Sequence, residues 1–160
     1  MSGLDIRERP SPNHDSRGEP PNLRPIDMLV LHYTGMESAA AALDRLCDPV
    51  ARVSAHYLVE EDGTVWRLVP EARRAFHAGV SYWQGDRDLN HVSIGIEIVN
   101  PGHELGYRPF PEPQMAAVEA LCRAATALER ALLRRGWRLP FGGSLIAVAA
   151  KKAMEGKAHA

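Results

Sequence analysis

The chain lacks most of the features that would place it at a glance. It has two cysteines in 160 residues, Cys47 and Cys122, far apart and beside no second metal-type cysteine. A disulfide framework and a zinc knuckle are therefore not expected, and both read as buried thiols. A formal net charge of -1 offers no basic field for nucleic acid, and there is no acidic tail. No stretch approaches the ~20 apolar residues of a membrane span. Charges at Asp5, Arg7, Glu8 and Arg9 stand where a signal peptide needs an apolar run, so the expectation is a cytoplasmic protein. No His-x-x-x-His or Cys-x-x-Cys pair, Gly-x-Ser-x-Gly elbow or phosphate-binding glycine loop occurs, so no local motif announces the chemistry. Internal repeats and low-complexity tracts are also missing.

What remains is an ordinary globular composition, 45% hydrophobic and 24% charged, at a length that suits one core. Residues 1–25 are rich in Pro, Ser, Asn, Asp and Arg and read as an extended leader. The folded domain is expected over 26–136. Met28 to Tyr33 is a short apolar run of the buried-strand kind. Ser38 is placed to cap an alanine-rich helix that stops at Asp48-Pro49. Asp62-Gly63 between two β-rich runs signals a hairpin. Val92 to Val99 alternates cleanly, with Ile94, Ile96 and Ile98 on one face and Ser93, Gly95 and Glu97 on the other. Glu112 to Arg135 reads as a long helix whose apolar stripe includes Met115, Val118, Leu121 and Cys122, ended by Gly136. The order strand, helix, hairpin, strand, long helix predicts an α/β fold, a mixed central β-sheet flanked by helices.

Two polar residues interrupt apolar strands. His32 ends Leu29-Val30-Leu31, sharing a face with Met28 and Val30, and Glu97 sits between Ile96 and Ile98. An ionised carboxylate is costly to bury without partners. Glu97 thus reads either as a functional group, with open floor beside it at Gly95, or as an edge-strand residue paired with a surface arginine. A lone strand histidine is more often a satisfied structural residue than a ligand. His56, His77 and His91 follow without a recognised ligand spacing.

Beyond spacing, a set of segments resembles one family. Leu29-Val30-Leu31-His32-Tyr33-Thr34-Gly35-Met36, Val53-Ser54-Ala55-His56-Tyr57-Leu58-Val59 with Asp62-Gly63-Thr64-Val65, and Ala75-Phe76-His77-Ala78-Gly79 occur in order. Leu89-Asn90, Ser93 to Gly102, Phe110-Pro111 and Gln114-Met115 complete the set. Together they resemble the type 2 N-acetylmuramoyl-L-alanine amidases, relatives of the peptidoglycan recognition proteins, over about 26–135. The resemblance implies hydrolysis of the amide between N-acetylmuramic acid and L-alanine in peptidoglycan or muropeptides. It implies Zn2+ as cofactor, His32 as the first zinc ligand and Glu97 as the catalytic glutamate, with Tyr33 and Thr34 where relatives contact substrate.

The end of the chain departs from that pattern. Where the family carries Gly-His-Ser-Asp, this chain reads Gly142-Gly143-Ser144-Leu145, without the histidine. Lys152 stands nearest the family's catalytic lysine and Glu155 nearest its zinc-binding aspartate, at imperfect spacing. Residues 137–160 therefore read as a divergent, disordered or out-of-frame tail, with the final strand and ligand loop altered. Ser144 to Met154 has the alanine content of a weak helix, which would leave the sheet edge uncovered. Three explanations stay open: a frame change near Gly136, a domain that binds muropeptide without cutting it, or a histidine from elsewhere, such as His14 or His159.

Overall fold

The apolar runs become the strands of one twisted layer. The computed structural model describes residues 4–19, 23–134 and 145–148, with side chains described as far as residue 124. In chain order the elements are β1 (Ile6–Glu8), β2 (His14–Ser16), β3 (Met28–Tyr33), α1 (Ala39–Cys47), β4 (Tyr57–Val59), β5 (Val65–Arg67), β6 (Arg73–Ala75), β7 (Tyr82–Trp83), β8 (Asp86–Arg87), β9 (Ser93–Ile98), α2 (Glu112–Arg134) and β10 (Leu145–Val148). Six strands form the main sheet in the order β1-β5-β4-β9-β3-β10. The hairpin β4-β5 supplies its one antiparallel pair, and every other neighbour is parallel. The mixed α/β expectation holds.

Strand alternation divides the sheet into two unlike faces. One face carries Leu29, Tyr57, Val59, Ile94, Ile96 and Ile98, which pack with Ala117, Val118 and Leu121 of α2. Side chains of this size bury about 1.5–3 kcal/mol each, so this contact is the main apolar core. The opposite face carries Leu58, which packs with Ala42, Leu43 and Leu46 of α1. On β3 and β9 that same face bears His32, Ser93, Gly95 and Glu97. Polar and small residues there leave α1 only part of the sheet to cover, and a cleft forms over the rest.

Caps and turns follow the sequence closely. Ser38 caps α1, its side chain accepting from the Ala41 amide at 3.2 Å. In the hairpin turn the Asp62 carboxylate accepts from the Thr64 amide at 2.8 Å. The apolar stripe of α2 holds at Val118 and Leu121 and departs from its sequence reading in the first turn. Met115 is exposed, and the buried first-turn residue is Gln114, whose amide nitrogen donates to the carbonyls of Val59 (3.1 Å) and Val99 (2.9 Å). Those carbonyls close β4 and β9, so a polar residue here outcompetes an apolar one.

Residues of the extended leader are woven into the domain. β1 pairs in parallel with β5, and β2 pairs with β6. Ser11 donates to the Leu46 carbonyl at 2.6 Å, and Asn13 to those of Asp48 (2.8 Å) and Val53 (2.9 Å), satisfying the end of α1 and the loop after it. At the other edge β10 pairs with β3, Leu145 opposite Met28 through Val148 opposite Leu31. The helical reading of this stretch is thus corrected at 145–148: Leu-Ile-Ala-Val is a strand, and it covers the edge expected to be bare. Cys47 and Cys122 are not joined in a disulfide, and both are half-buried rather than fully enclosed. No described helix is long and apolar enough to cross a membrane.

Candidate active site

The register of β3 and β9 places His32 directly opposite Glu97. Both are 9% exposed. β9 lies between β4 and β3 in the middle of the sheet, so the reading of Glu97 as an edge-strand residue is excluded. Above this floor opens a cleft of about 640 Å³, lined among others by Tyr33, Thr34, Arg52, Phe76, His77 and Glu97. That volume is within the usual range for a small-molecule site.

Gly95 does not leave open floor beside Glu97, as its small size suggested. A Cβ built there would lie 2.3 Å from Cγ of His77, so the missing side chain makes room for that ring. His77 is the principal residue that sequence spacing missed. Its Nδ1 lies 3.1 Å from Nε2 of His32, and its Nε2 lies 3.1 Å from the Ser93 hydroxyl. The ring of His56 stands edge-on to it at 5.7 Å. The segment is pinned by Asn90, whose side-chain oxygen accepts from the amides of His77 (3.0 Å) and Ala78 (2.9 Å). Desolvation first, then the neighbouring His32, His56 and Arg17, pushes the His77 pKa well below the usual histidine range, keeping the ring neutral.

Beneath the site, Arg17 reaches in from the leader and is 4% exposed. It donates to the carbonyls of Glu71 (2.8 Å), Asn90 (2.9 Å), His91 (3.0 Å) and Ser93 (2.8 Å). Its Nη2 also lies 2.8 Å from Nε2 of His56. Burial lowers the Arg17 pKa to about 10 and that of His56 to about 4. A hydrogen bond from the Gly95 amide to Nδ1 of His56, 2.9 Å, fastens this ring under β9.

The two residues expected near substrate are at the cleft mouth. Thr34 links the ends of β3 and β9, its hydroxyl donating to the Asn100 carbonyl and accepting from the Asn100 amide, each at 3.2 Å. The Tyr33 ring packs over Gly102, where an added Cβ would come within 2.4 Å. Gly102 has φ +72°, a left-handed conformation that glycine adopts without strain.

The donor set falls short of a zinc centre. A hydrolytic zinc is ordinarily held by three protein ligands plus water. Among the described residues no three His, Cys, Asp or Glu side chains are placed to hold a metal ion together. His14 does not complete the set: it lies in β2 and accepts from Arg73 at 3.3 Å. Lys152, Glu155 and His159 lie outside the described residues.

Comparison with known proteins places this fold. A profile of the N-acetylmuramoyl-L-alanine amidase family matches residues 22–139, and the chain belongs to that family. It is 36% identical over 132 residues to the 1,6-anhydro-N-acetylmuramyl-L-alanine amidase AmpD of Salmonella typhimurium, covering 72% of this chain and 68% of that protein. It is 39% identical over 105 residues to the N-acetylmuramoyl-L-alanine amidase AmiD of Escherichia coli, covering 60% of this chain but only 37% of AmiD. Among solved structures, a selenomethionine AmpD derivative matches at TM-score 0.65 with 30% identity over 79% of this chain and 76% of that one. E. coli AmiD, in complex with the substrate anhydro-N-acetylmuramic acid-L-Ala-D-gamma-Glu-L-Lys, matches at 0.58 with 33% identity over 76% and 48%.

Proposed function

We propose that this chain is an N-acetylmuramoyl-L-alanine amidase acting on muropeptides, with Glu97 as general base. The observation that carries the proposal is Glu97 in the lining of the cleft, on the polar face of the sheet, with His32 opposite it on β3. A carboxylate held there can take a proton from an attacking water and return it to the leaving amine of L-alanine. Tyr33 and Thr34 at the rim suit the role of substrate contacts. Arg45 and Arg52 in the same cleft would meet the carboxylates of a stem peptide. The complex of AmiD with an anhydromuramyl peptide supports the same substrate class for this chain.

His32 is proposed as a zinc ligand, with Lys152 and Glu155 as the sequence's candidates for catalytic lysine and further ligand. The described residues do not make up the metal site. Gly143, standing where the family carries a histidine, favours a second reading, a module that binds muropeptide without cutting it. Incubation with an anhydromuramyl tripeptide, followed by mass spectrometry, separates the two. The amidase reading predicts free tripeptide and the anhydro-sugar acid; intact muropeptide bound to a zinc-free chain would establish the binding module instead.

A further inference from the structure

We propose that Ser93 and His77 form a relay that fixes the tautomer of His32, placing its ring proton on Nε2 and leaving Nδ1 as the lone-pair nitrogen. The argument starts at one hydroxyl proton. Ser93 Oγ lies 2.6 Å from the Leu89 carbonyl, which can only accept, so the single Ser93 proton is committed there. Toward Nε2 of His77, 3.1 Å away, the same oxygen can then only accept. His77 Nε2 therefore carries a hydrogen. Its two nitrogens meet a hydroxyl and another imidazole rather than a carboxylate, and a charge enclosed without a counter-ion is costly, so the ring holds one N–H and Nδ1 is a lone pair. That lone pair lies 3.1 Å from Nε2 of His32, which must donate to it.

The relay is rigid because each member is held elsewhere. Ser93 is fully buried, and its carbonyl accepts from Arg17. The His77 backbone is tied to Asn90, and its ring occupies the space over Gly95. The nitrogen that a ligand or acceptor-seeking group would meet on His32 is thus chosen by partners of its other nitrogen. His77 and Ser93 are positioning residues in this account. The inference deepens the role proposed for His32, and its functional consequence rests on that reading.

The test is long-range proton–nitrogen NMR of protein carrying 15N-labelled histidine, near pH 7.5 and without substrate. His32 and His77 should both appear as Nε2–H tautomers in the wild type. His77→Ala should turn His32 into a mixture, and Ser93→Ala should do so for both rings. His77→Asn, whose side-chain oxygen can stand near the lost Nδ1, should restore the single His32 tautomer. An Nδ1–H tautomer at His32 in the wild type would overturn the relay. So would an unchanged His32 in folded His77→Ala. If His77→Ala fails to fold, the wild-type and Ser93→Ala spectra decide. No turnover is read, so a failed amidase assay leaves this result independent.

Discussion

At the residue scale, the buried histidines couple the fold to pH. His56 has a folded pKa of about 4 against an ordinary 6.5, so it stays neutral in the fold and takes a proton when the chain unfolds. Above pH 6.5 neither state is protonated and its contribution to stability is complete. As pH falls from 6.5 to 4 the unfolded state binds the extra proton, and stability drops by up to about 3 kcal/mol at about 1.4 per unit. His77 acts in the same direction. Urea midpoints at pH 7.5 and 4.5 should show the loss, and His56→Asn should reduce it; an equal drop in that variant would contradict the assignment. His32 and Glu97 were visible in the sequence because each breaks an apolar strand, though only the family resemblance gave them roles. His77 and Ser93 were not, since their roles depend on which atoms meet across the sheet. Gly95 was read as open floor for the same reason: a missing side chain does not reveal what fills its place.

At the element scale, periodicity carried β3, β9, the β4-β5 hairpin and the capped helix α1, all of which obey local rules. The first turn of α2 is different. Gln114 closes two strand-end carbonyls, an interaction invisible to a hydrophobic stripe, and Met115 beside it faces solvent. Gln114→Leu should destabilise the fold by about 1–3 kcal/mol, the range for leaving buried acceptors unpaired. The loss is moderated because Oε1 of Gln114 is itself buried without a hydrogen-bond partner among the described residues. Chemical denaturation of the two proteins measures this, and a more stable variant would show that the carbonyls find other partners. β10 was misread because its alanine favours helix, while pairing with β3 rewards its flanking Leu, Ile and Val as a strand.

For the whole molecule, the leader matters more than its composition suggested. Arg17 collects four carbonyls from the loop before β6, the turn before β9 and β9 itself, and lies against His56. It therefore joins the leader to the support of the cleft. Arg17→Met keeps apolar bulk but leaves those acceptors unpaired, and should cost about 3 kcal/mol or more. A change below about 1 kcal/mol in urea unfolding would mean water replaces the guanidinium readily. Strand order and this long-range clamp could not be read from spacing, because they join residues remote in sequence: Tyr57 pairs with Ile96, and Arg17 meets Glu71 and Ser93.

The central claim, that the cleft hydrolyses the muropeptide amide with Glu97 as base, is tested most directly by comparing turnover of wild type and Glu97→Gln on an anhydromuramyl tripeptide, with binding of each measured by calorimetry. The account predicts a fall in kcat of about 10²–10⁴-fold with affinity nearly unchanged. Full turnover by Glu97→Gln, or tight binding without peptide release by either protein, would contradict it.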